Sequence, residues 1–357
     1  MTKRINLFMM LIVVALSIIK ICDAQKTISI NLNKPVVEGM INARIDYKNS
    51  KIYFFNRNIH NNSRIKEGMY SYDIESGKVE TIFLIENVRE VSFSPDFQSA
   101  IVTVLYKYEL FKKTNSPFLN SSIQDYQEVY WYINFSSRKM DWLGESLDGF
   151  CWINRQEIFA QYYDVSVEPS QNYLAIYNLE TKKLKKICDT DFYDVFLLEA
   201  FNDHVYFQDK PTEFPHINKV LDINLSTGKI ERFTNQRDIF DGKISYSGEY
   251  FLLSSYDERK KVPYTHIFDM KTRKFLNYRS EYNEVSYTWA QDANEFIEIM
   301  EINSRFRLNH YNIDNNVIQK YQINVETAAS SQLDNFFLIS RTIYLSYFNN
   351  LFIANLN

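Results

Sequence analysis

Short apolar and aromatic segments recur along the whole chain, and polar turn residues separate them. Met69-Tyr70-Ser71-Tyr72, Ile101-Val102-Thr103-Val104-Leu105 and Tyr250-Phe251-Leu252-Leu253 are three examples. β-Branched and aromatic residues favour strands, and turn residues at both ends keep each strand short. Aromatic residues make up 16% of the chain, which is more than a helical bundle needs. The pattern therefore predicts an all-β protein.

One turn sequence recurs at a nearly constant spacing. Each copy begins with Asp or Asn, reaches a Lys five residues later and lies between two apolar segments. The copies begin at Asp73, Asn134, Asn178, Asn224 and Asp269, and a weaker copy begins at Asn312. Their separations are 61, 44, 46, 45 and 43 residues, so one interval carries an insertion. A hairpin repeated about every 45 residues, with four short strands in each unit, predicts the blades of a β-propeller.

A second turn type gives an independent count of the blades. It follows an apolar segment, consists mainly of Asn, Asp, Ser or Gly, and occurs seven times. The copies are Asn49-Ser50, Pro95-Asp96, Asn154-Arg155, Asn202-Asp203, Ser247-Gly248, Asp292-Ala293 and Asp334-Asn335. Seven blades are therefore expected, beginning near Ile41, Arg89, Gly149, Val195, Gly242, Glu284 and Thr327. A six-bladed ring is the alternative, because the seventh unit is the least regular.

The two ends of the chain predict how the ring closes. Phe352-Ile353-Ala354-Asn355 begins another copy of the repeat, and no outer strand follows it. The N-terminal segment 27–33 contains the alternating sequence Ile28-Ser29-Ile30-Asn31-Leu32. We expect this N-terminal strand to complete the last blade, which would also cover an exposed sheet edge.

Residues 1–24 have the features of a secretory signal peptide. Lys3 and Arg4 precede an apolar stretch over 7–19, and Cys22-Asp23-Ala24 offers a cleavage site. The apolar stretch is short for a membrane anchor, which needs ~20 residues. Cys22 is not expected to carry a lipid, because Lys20-Ile21 lacks the small residue of bacterial lipoprotein signals. Residues 25–357 are expected to form one propeller domain, secreted or periplasmic, with no transmembrane anchor after cleavage.

Composition and spacing narrow the partners and cofactors. The 40 basic and 44 acidic residues nearly cancel and form no long basic run, so no nucleic-acid partner is expected. The five histidines lack zinc-type spacing, and the sequence has no calcium loop or glycine-rich phosphate loop, so no metal or cofactor is predicted. Carboxylates that a ring brings together would escape this test. Cys151 and Cys188 are expected as free thiols, because the predicted register puts them in the innermost and outermost strands of one blade.

The phrase Phe93-Ser94-Pro95-Asp96 carries a family resemblance. It is similar to the WD40-like repeat of TolB-like and dipeptidyl-peptidase-IV-like β-propellers, although Phe97 stands where that repeat has Gly. Tyr246-Ser247-Gly248 keeps the outline of the same phrase. The resemblance implies a propeller. It implies no peptidase activity, because the hydrolase domain of those peptidases carries a Gly-x-Ser-x-Gly turn that this sequence lacks.

The predicted binding surface lies at one end of the ring. First-to-second and third-to-fourth strand turns are short and share one face, so the long connections open on the other. These connections are 56–67, 106–127, 163–172, 209–218 and 257–263. Long connections on a rigid scaffold often carry function. The binding residues expected there are Lys107, Tyr108, Lys112, Lys113, His216, Arg259, Lys260 and Lys261.

Two classes of function remain open from the sequence. The leading hypothesis is a non-catalytic binding module that recognises a protein, peptide or glycan through the long-connection face and the mouth of the channel. The alternative is a propeller enzyme, a lyase or glycosidase, with acidic residues or a metal at the channel. Asp46 and Glu199 are its acid/base candidates, because both lie in innermost strands. Resemblance to TolB-like proteins adds a third possibility, a component of an envelope complex.

Overall fold

Each repeated unit folds into one antiparallel sheet, and seven such sheets form a ring. The computed structural model describes residues 26–30, 35–57, 66–107, 126–144, 149–164, 171–190, 194–210, 219–234, 239–257, 262–276, 285–291, 294–302, 305–313, 317–325, 333–339, 342–347 and 350–355. These residues contain strands and turns and no helix. The all-β prediction is therefore confirmed.

The strands are numbered in chain order, and β1 (Lys26–Ile30) precedes the first blade. Blades 1 and 2 contain β2 (Met40–Asp46), β3 (Lys51–Asn56), β4 (Gly68–Asp73), β5 (Val79–Leu84), β6 (Val88–Phe93), β7 (Ser99–Lys107), β8 (Tyr126–Asn134) and β9 (Lys139–Gly144). Blades 3 and 4 contain β10 (Phe150–Trp152), β11 (Glu157–Asp164), β12 (Gln171–Asn178), β13 (Lys183–Thr190), β14 (Asp194–Phe201), β15 (His204–Lys210), β16 (Lys219–Asn224) and β17 (Ile230–Thr234). Blades 5, 6 and 7 contain β18 (Ile239–Ile244), β19 (Tyr250–Asp257), β20 (Val262–Asp269), β21 (Lys274–Phe275), β22 (Val285–Trp289), β23 (Glu295–Ile302), β24 (Arg305–Asn312), β25 (Val317–Val325), β26 (Leu333–Ile339), β27 (Thr342–Tyr347) and β28 (Asn350–Asn355).

Seven innermost strands confirm the count of seven blades, and the six-bladed alternative is wrong. The first six begin within a few residues of the predicted positions. The seventh, β26, begins at Leu333 instead of Thr327. Asp334-Asn335, predicted as the first turn of this blade, lies inside β26, so the prediction placed the seventh unit too early in the sequence.

The recurring Asp or Asn turn joins the third and fourth strands, and one side-chain bond explains its sequence. Oδ1 of Asp73 accepts the backbone N–H of Ser76 at 2.7 Å. The same contact, at 2.8–3.1 Å, recurs in the turns that begin at Asn134, Asn178, Asn224 and Asp269. The residue after the Ser or Thr is left-handed in all five turns, with φ between 52° and 71°. The side chain thus replaces a backbone acceptor and stabilises the hairpin.

Both turn types of a blade lie on one face and are hydrogen-bonded to each other. In blade 1 the backbone N–H of Ile74 donates to the carbonyl of Ser50 at 3.0 Å. Equivalent bonds in blades 2 to 6 run from Phe135 to Gln98, Leu179 to Gln156, Leu225 to Asp203, Met270 to Glu249, and Ile313 to Asn294. The short turns therefore share one end of the ring, as predicted, and the other strand connections open at the opposite end.

The N-terminal segment joins the two ends of the chain, but its pairing differs from the prediction. β1 pairs in parallel with β25 and so becomes a fifth strand of blade 6. Blade 7 has three named strands, and Val36 and Val37 pair with Leu351 at its outer edge. Because these valines occupy the edge of β28, the earlier strand lies one blade further back, along the longer β25. The predicted pairing of 27–33 with the last blade is corrected accordingly.

Aromatic side chains fill the spaces between neighbouring blades. Tyr206 and Phe233 of blade 4 pack on Phe251 of blade 5, with ring centroids 5.3 and 5.7 Å from that of Phe251. Phe268 extends the contact, its ring centroid 4.6 Å from that of Phe233. Large flat rings fill the wedge-shaped gap between twisted sheets, which accounts for the many Tyr and Phe residues.

The two described cysteines are free thiols, as predicted. Cys151 lies in β10, the innermost strand of blade 3, and Cys188 lies in β13, its outermost strand. Two intervening strands separate them, too far for a disulfide. Among the described residues, no helix has the length and apolarity needed to cross a membrane.

Candidate functional site

The predicted loop residues are not tested by the structure. Tyr108, Lys112, Lys113, His216, Arg259, Lys260 and Lys261 lie outside the described residues. Lys107 is the last residue of β7, and only its backbone is described. Their role in binding therefore stays a prediction.

Asp46 has a structural task at the end of β2. Its Oδ1 accepts the backbone N–H groups of Lys48 and Asn49, both at 3.1 Å. Its Oδ2 accepts the side-chain amide of Asn49 at 2.6 Å. Asp46 is buried, and these contacts use its carboxylate to hold the β2–β3 turn. It is therefore a poor candidate for acid/base chemistry in the channel.

Five of the seven innermost strands contain a β-bulge, and a polar residue follows each bulge. The strands are β2, β6, β14, β18 and β26, and the residues are Arg44, Glu90, Glu199, Asp241 and Asn335. A bulge kinks its strand and redirects the side chains beside it. These repeated irregularities place polar groups along the strands that surround the central channel.

Charged groups from three blades meet in the channel. Glu199 of blade 4 interacts electrostatically with Arg44 of blade 1 and with Asp241 and Lys243 of blade 5. Blades 1 and 4 are not neighbours, so Arg44 and Glu199 can approach each other only across the channel. Burial raises the pKa of Glu199 to about 6, although Arg44 and Lys243 act in the opposite direction. The ionised form of Glu199 is therefore held in an environment that does not fully replace its hydration.

Blades 5 and 6 form a hydrogen-bonded wall beside these charges. Lys243 Nζ donates to the carbonyl of Tyr287 at 3.3 Å and lies 5.4 Å from the centre of the Tyr287 ring. Trp289 Nε1 donates to the carbonyl of Lys243 at 2.8 Å. Lys243 is exposed to the channel, yet surrounding protein desolvates it and lowers its pKa, which Asp241 and Glu199 partly oppose. Trp289 thus holds the backbone of Lys243, while the side chain of Lys243 is exposed to the channel.

A cavity of about 430 Å³ opens from the channel beside blades 1, 2 and 3. Its polar lining includes Asn42, Arg44 and Glu90, and its aromatic lining includes Tyr130 and Phe150. Asn42 is left-handed, with φ of 49°, because it lies in the bulge of β2. Its Oδ1 is buried and has no hydrogen-bond partner among the described residues. A strained backbone and an unsatisfied acceptor together mark this wall as a candidate contact surface.

A second, smaller pocket of about 180 Å³ lies on blade 4, and its polar groups satisfy one another. His204 Nδ1 lies 2.7 Å from Asp222 Oδ1, and Asn224 Nδ2 donates to His204 Nε2 at 3.3 Å. Both ring nitrogens are engaged, so this cluster stabilises the blade. Within the described ranges, no group of three or more His, Cys, Asp or Glu side chains is placed to hold a metal ion.

Sequence reasoning identified Glu199 and missed Asn42, Arg44, Asp241 and Lys243. A usable signal was present: β18 reads Ile239-Phe240-Asp241-Gly242-Lys243-Ile244, with two charges inside an apolar strand that must line the ring. β2 likewise places Asn42 and Arg44 among apolar residues. Polar residues in innermost strands are therefore a better guide to the channel than loop length.

Comparison with known proteins supports the fold but does not assign a family or an activity. A scan of protein-family models and a search of curated proteins find no match to this chain. Among solved structures, it is similar to an oligogalacturonate lyase from Vibrio parahaemolyticus, with 9% identity, a TM-score of 0.60 and coverage of 90% of this chain and 93% of that chain. It is also similar to the β-propeller domain of the trilobed protease from Pyrococcus furiosus, with 10% identity, a TM-score of 0.55 and coverage of 87% and 91%.

A third similar structure is an acylaminoacyl peptidase from Pyrococcus horikoshii, with 12% identity and a TM-score of 0.54. The match covers 87% of this chain and 50% of that chain. At such low identity the likeness shows a shared propeller fold. Membership in the TolB-like repeat family stays a prediction from Phe93-Ser94-Pro95-Asp96.

Proposed function

We propose that this chain is a secreted or periplasmic binding module that recognises a peptide, protein or glycan at the end of its central channel. The supporting observation is that charged residues from separate blades interact with one another in the channel. They are Arg44, Glu199, Asp241 and Lys243. The signal-like sequence of residues 1–24 supports the compartment.

The energetics of the channel favour a role in recognition. Burial raises the pKa of Glu199, so its charged form lowers the stability of the fold at neutral pH. Polar groups held at such a cost are concentrated at functional sites. A bound ligand that supplies complementary polar groups would offset this loss of stability. Arg44, Glu199 and Lys243 lie within two residues of the strand ends that lead into the short turns. The long connections at the other end of the ring would add contact area for a ligand that extends through the channel.

One observation favours an enzyme as the second candidate. A carboxyl group with a pKa of about 6 is suited to accept and return a proton near neutral pH, and Glu199 has this property. Two of the similar structures are oligogalacturonate lyases, one of them in complex with manganese. Under this alternative, Glu199 would be the general acid or base and Arg44 would bind an anionic substrate group.

Native mass spectrometry with peptide and glycan libraries distinguishes the two candidates. We expect the wild-type protein to retain a ligand of unchanged mass and Arg44→Gln or Glu199→Gln to retain much less of it. Lys78→Gln is the control, because Lys78 is exposed in the short turn of blade 1. This variant should retain the ligand as wild type does. Conversion of the ligand to a product would favour the enzyme. Equal retention by wild type and both channel variants would contradict the channel as the site.

A further inference from the structure

Two opposite charges face the same cavity without neutralising each other. Arg44 and Glu90 both line the cavity beside blades 1 to 3, and both side chains are exposed to it. No hydrogen bond or ion pair joins either side chain to another described residue. The guanidinium therefore keeps its five N–H donors available, and the carboxylate keeps both oxygens.

A third polar group in the same wall also lacks a partner. Asn42 Oδ1 is buried and unsatisfied, and a buried acceptor without a donor lowers stability. The bulge of β2 holds Asn42 in a left-handed conformation, two residues before Arg44. The bulge thus places a buried, unsatisfied acceptor and an exposed cation in one short stretch of backbone.

Other residues add both polar and apolar surface to the cavity. Ser92 Oγ accepts a hydrogen bond from Trp152 Nε1 at 3.0 Å, so its own hydroxyl proton can be donated elsewhere. Val91, Ile101 and Phe150 supply apolar surface. A volume of about 430 Å³ lies in the range of small-molecule sites, which is roughly 300–1,000 Å³.

We propose that this cavity binds a small zwitterion, a molecule that carries both a carboxylate and an ammonium group, as free amino acids and short peptides do. The proposal rests on the proposed function and names the ligand class of the channel. Arg44 binds the carboxylate, and a guanidinium can make two parallel hydrogen bonds to such a group. Glu90 accepts N–H groups of the ammonium. Apolar side chains of the ligand lie against Val91, Ile101 and Phe150.

Ligands with a single charge fit the cavity less well. A simple anion would pair with Arg44 but leave Glu90 unpaired and repelled in the same space. A simple cation would pair with Glu90 but be repelled by Arg44. A neutral sugar would bring no charge to either group. A zwitterion is the ligand class that pairs with Arg44 and Glu90 at once.

Saturation-transfer difference NMR with four probes tests the proposal on the whole protein. The probes are leucine, leucyl-leucine, N-acetyl-leucyl-leucine and leucyl-leucine amide, each at millimolar concentration. N-acetylation removes the ammonium, and amidation removes the carboxylate. Comparison of leucine with leucyl-leucine distinguishes an amino acid from a peptide as the source of the zwitterion.

We expect at least one uncapped probe to bind and either cap to weaken leucyl-leucine binding by about tenfold, since each removes a charge-assisted contact. Glu90→Gln should bind the acetylated and uncapped dipeptides equally, and Arg44→Gln should do the same for the amidated form. Glu75→Gln and Lys78→Gln, exposed in the turn of blade 1, are matched controls and should bind as wild type does.

Binding that capping leaves unchanged, or no binding of any probe, would overturn the zwitterion proposal. Its failure can be separated from failure of the proposed function. If native mass spectrometry still recovers a ligand whose retention depends on Glu199 or Arg44, the binding module stands and only the ligand class is wrong.

Discussion

Tyr287 of blade 6 donates its hydroxyl proton to Asp241 Oδ2 of blade 5 across a distance of 3.1 Å. Burial raises the pKa of Tyr287 well above its usual range, so the hydroxyl stays protonated and stays a donor. The contact joins two neighbouring innermost strands and fixes a carboxylate beside Lys243. It adds to the two hydrogen bonds that Lys243 makes with Tyr287 and Trp289 between the same two blades.

Tyr287→Phe should destabilise the protein by about 1–2 kcal/mol, because it removes a hydrogen bond to a charged group and leaves Asp241 partly unsatisfied. Urea unfolding measures the change. Tyr246→Phe is the control, since Tyr246 is 65% exposed and its loss of a hydroxyl should have little effect. Equal stability of the two variants would mean that the bond between the blades contributes nothing.

Glu199→Gln should stabilise the protein at neutral pH but not in acid. The pKa of Glu199 in the fold is about 6, above the usual 4.5, so the folded state holds its proton more tightly than the unfolded state. The resulting stabilisation is complete below pH 4.5 and is lost as the pH rises through 6. At pH 7 the variant should therefore exceed wild type by about 1–2 kcal/mol.

Denaturant unfolding at pH 4 and pH 7 checks this pH dependence. Glu75→Gln, in an exposed turn, is the control and should differ little from wild type at either pH. If the unfolding free energies of Glu199→Gln and wild type differ by the same amount at pH 4 and pH 7, the raised pKa is ruled out.

Gly248→Ala should destabilise the protein more than Gly77→Ala. Both glycines are left-handed, with φ of 76° and 67°, so alanine is strained at either position. A Cβ at 248 would also lie 2.2 Å from the ring of Phe201, whereas a Cβ at 77 would meet only the Tyr72 hydroxyl at 3.8 Å. We expect a loss of about 1 kcal/mol at Gly77 and 2–4 kcal/mol at Gly248. Similar melting temperatures for the two variants would indicate that Phe201 moves aside freely.

Charge reversal at Lys112 and Lys113 should weaken binding of a large partner and leave thermal stability nearly unchanged, if the long connections take part in recognition. Surface plasmon resonance and thermal melting measure the two effects. Reversal at Lys78 and Lys229, both exposed on the short-turn face, is the control. Loss of binding in the controls alone would show that the faces are assigned the wrong way round.

The blade count could be read from the sequence because each turn is specified locally. Asp73 and Ser76 make their contact within four residues, so the signal survives without knowledge of the rest of the fold. Ring closure could not be read in this way. Residues 27–33 and the segment at Val36 both favour extended structure, and nothing local says which of them pairs with β28.

The channel was only partly predictable for a related reason. Glu199 was found because an acid in an innermost strand stands out. Arg44 and Asn42 were missed because a bulge, which depends on the pairing of β2 with β3, sets their direction. Charges that meet across the ring, as Arg44 and Glu199 do, are far apart in sequence and share no local motif.

The contact between the N-terminal segment and blade 7 also affects the order in which the ring can fold. Gly39 bonds to Asn350 across 311 positions, whereas most blades are built from strands that follow one another directly. Closing so long a loop carries the largest entropic cost in the molecule, and contacts of high sequence separation slow folding. We therefore expect the blades to form one after another along the chain and the N-terminal segment to join last. Until that step the edges of β25 and β28 are open, and this is the stage at which the protein is most exposed to aggregation.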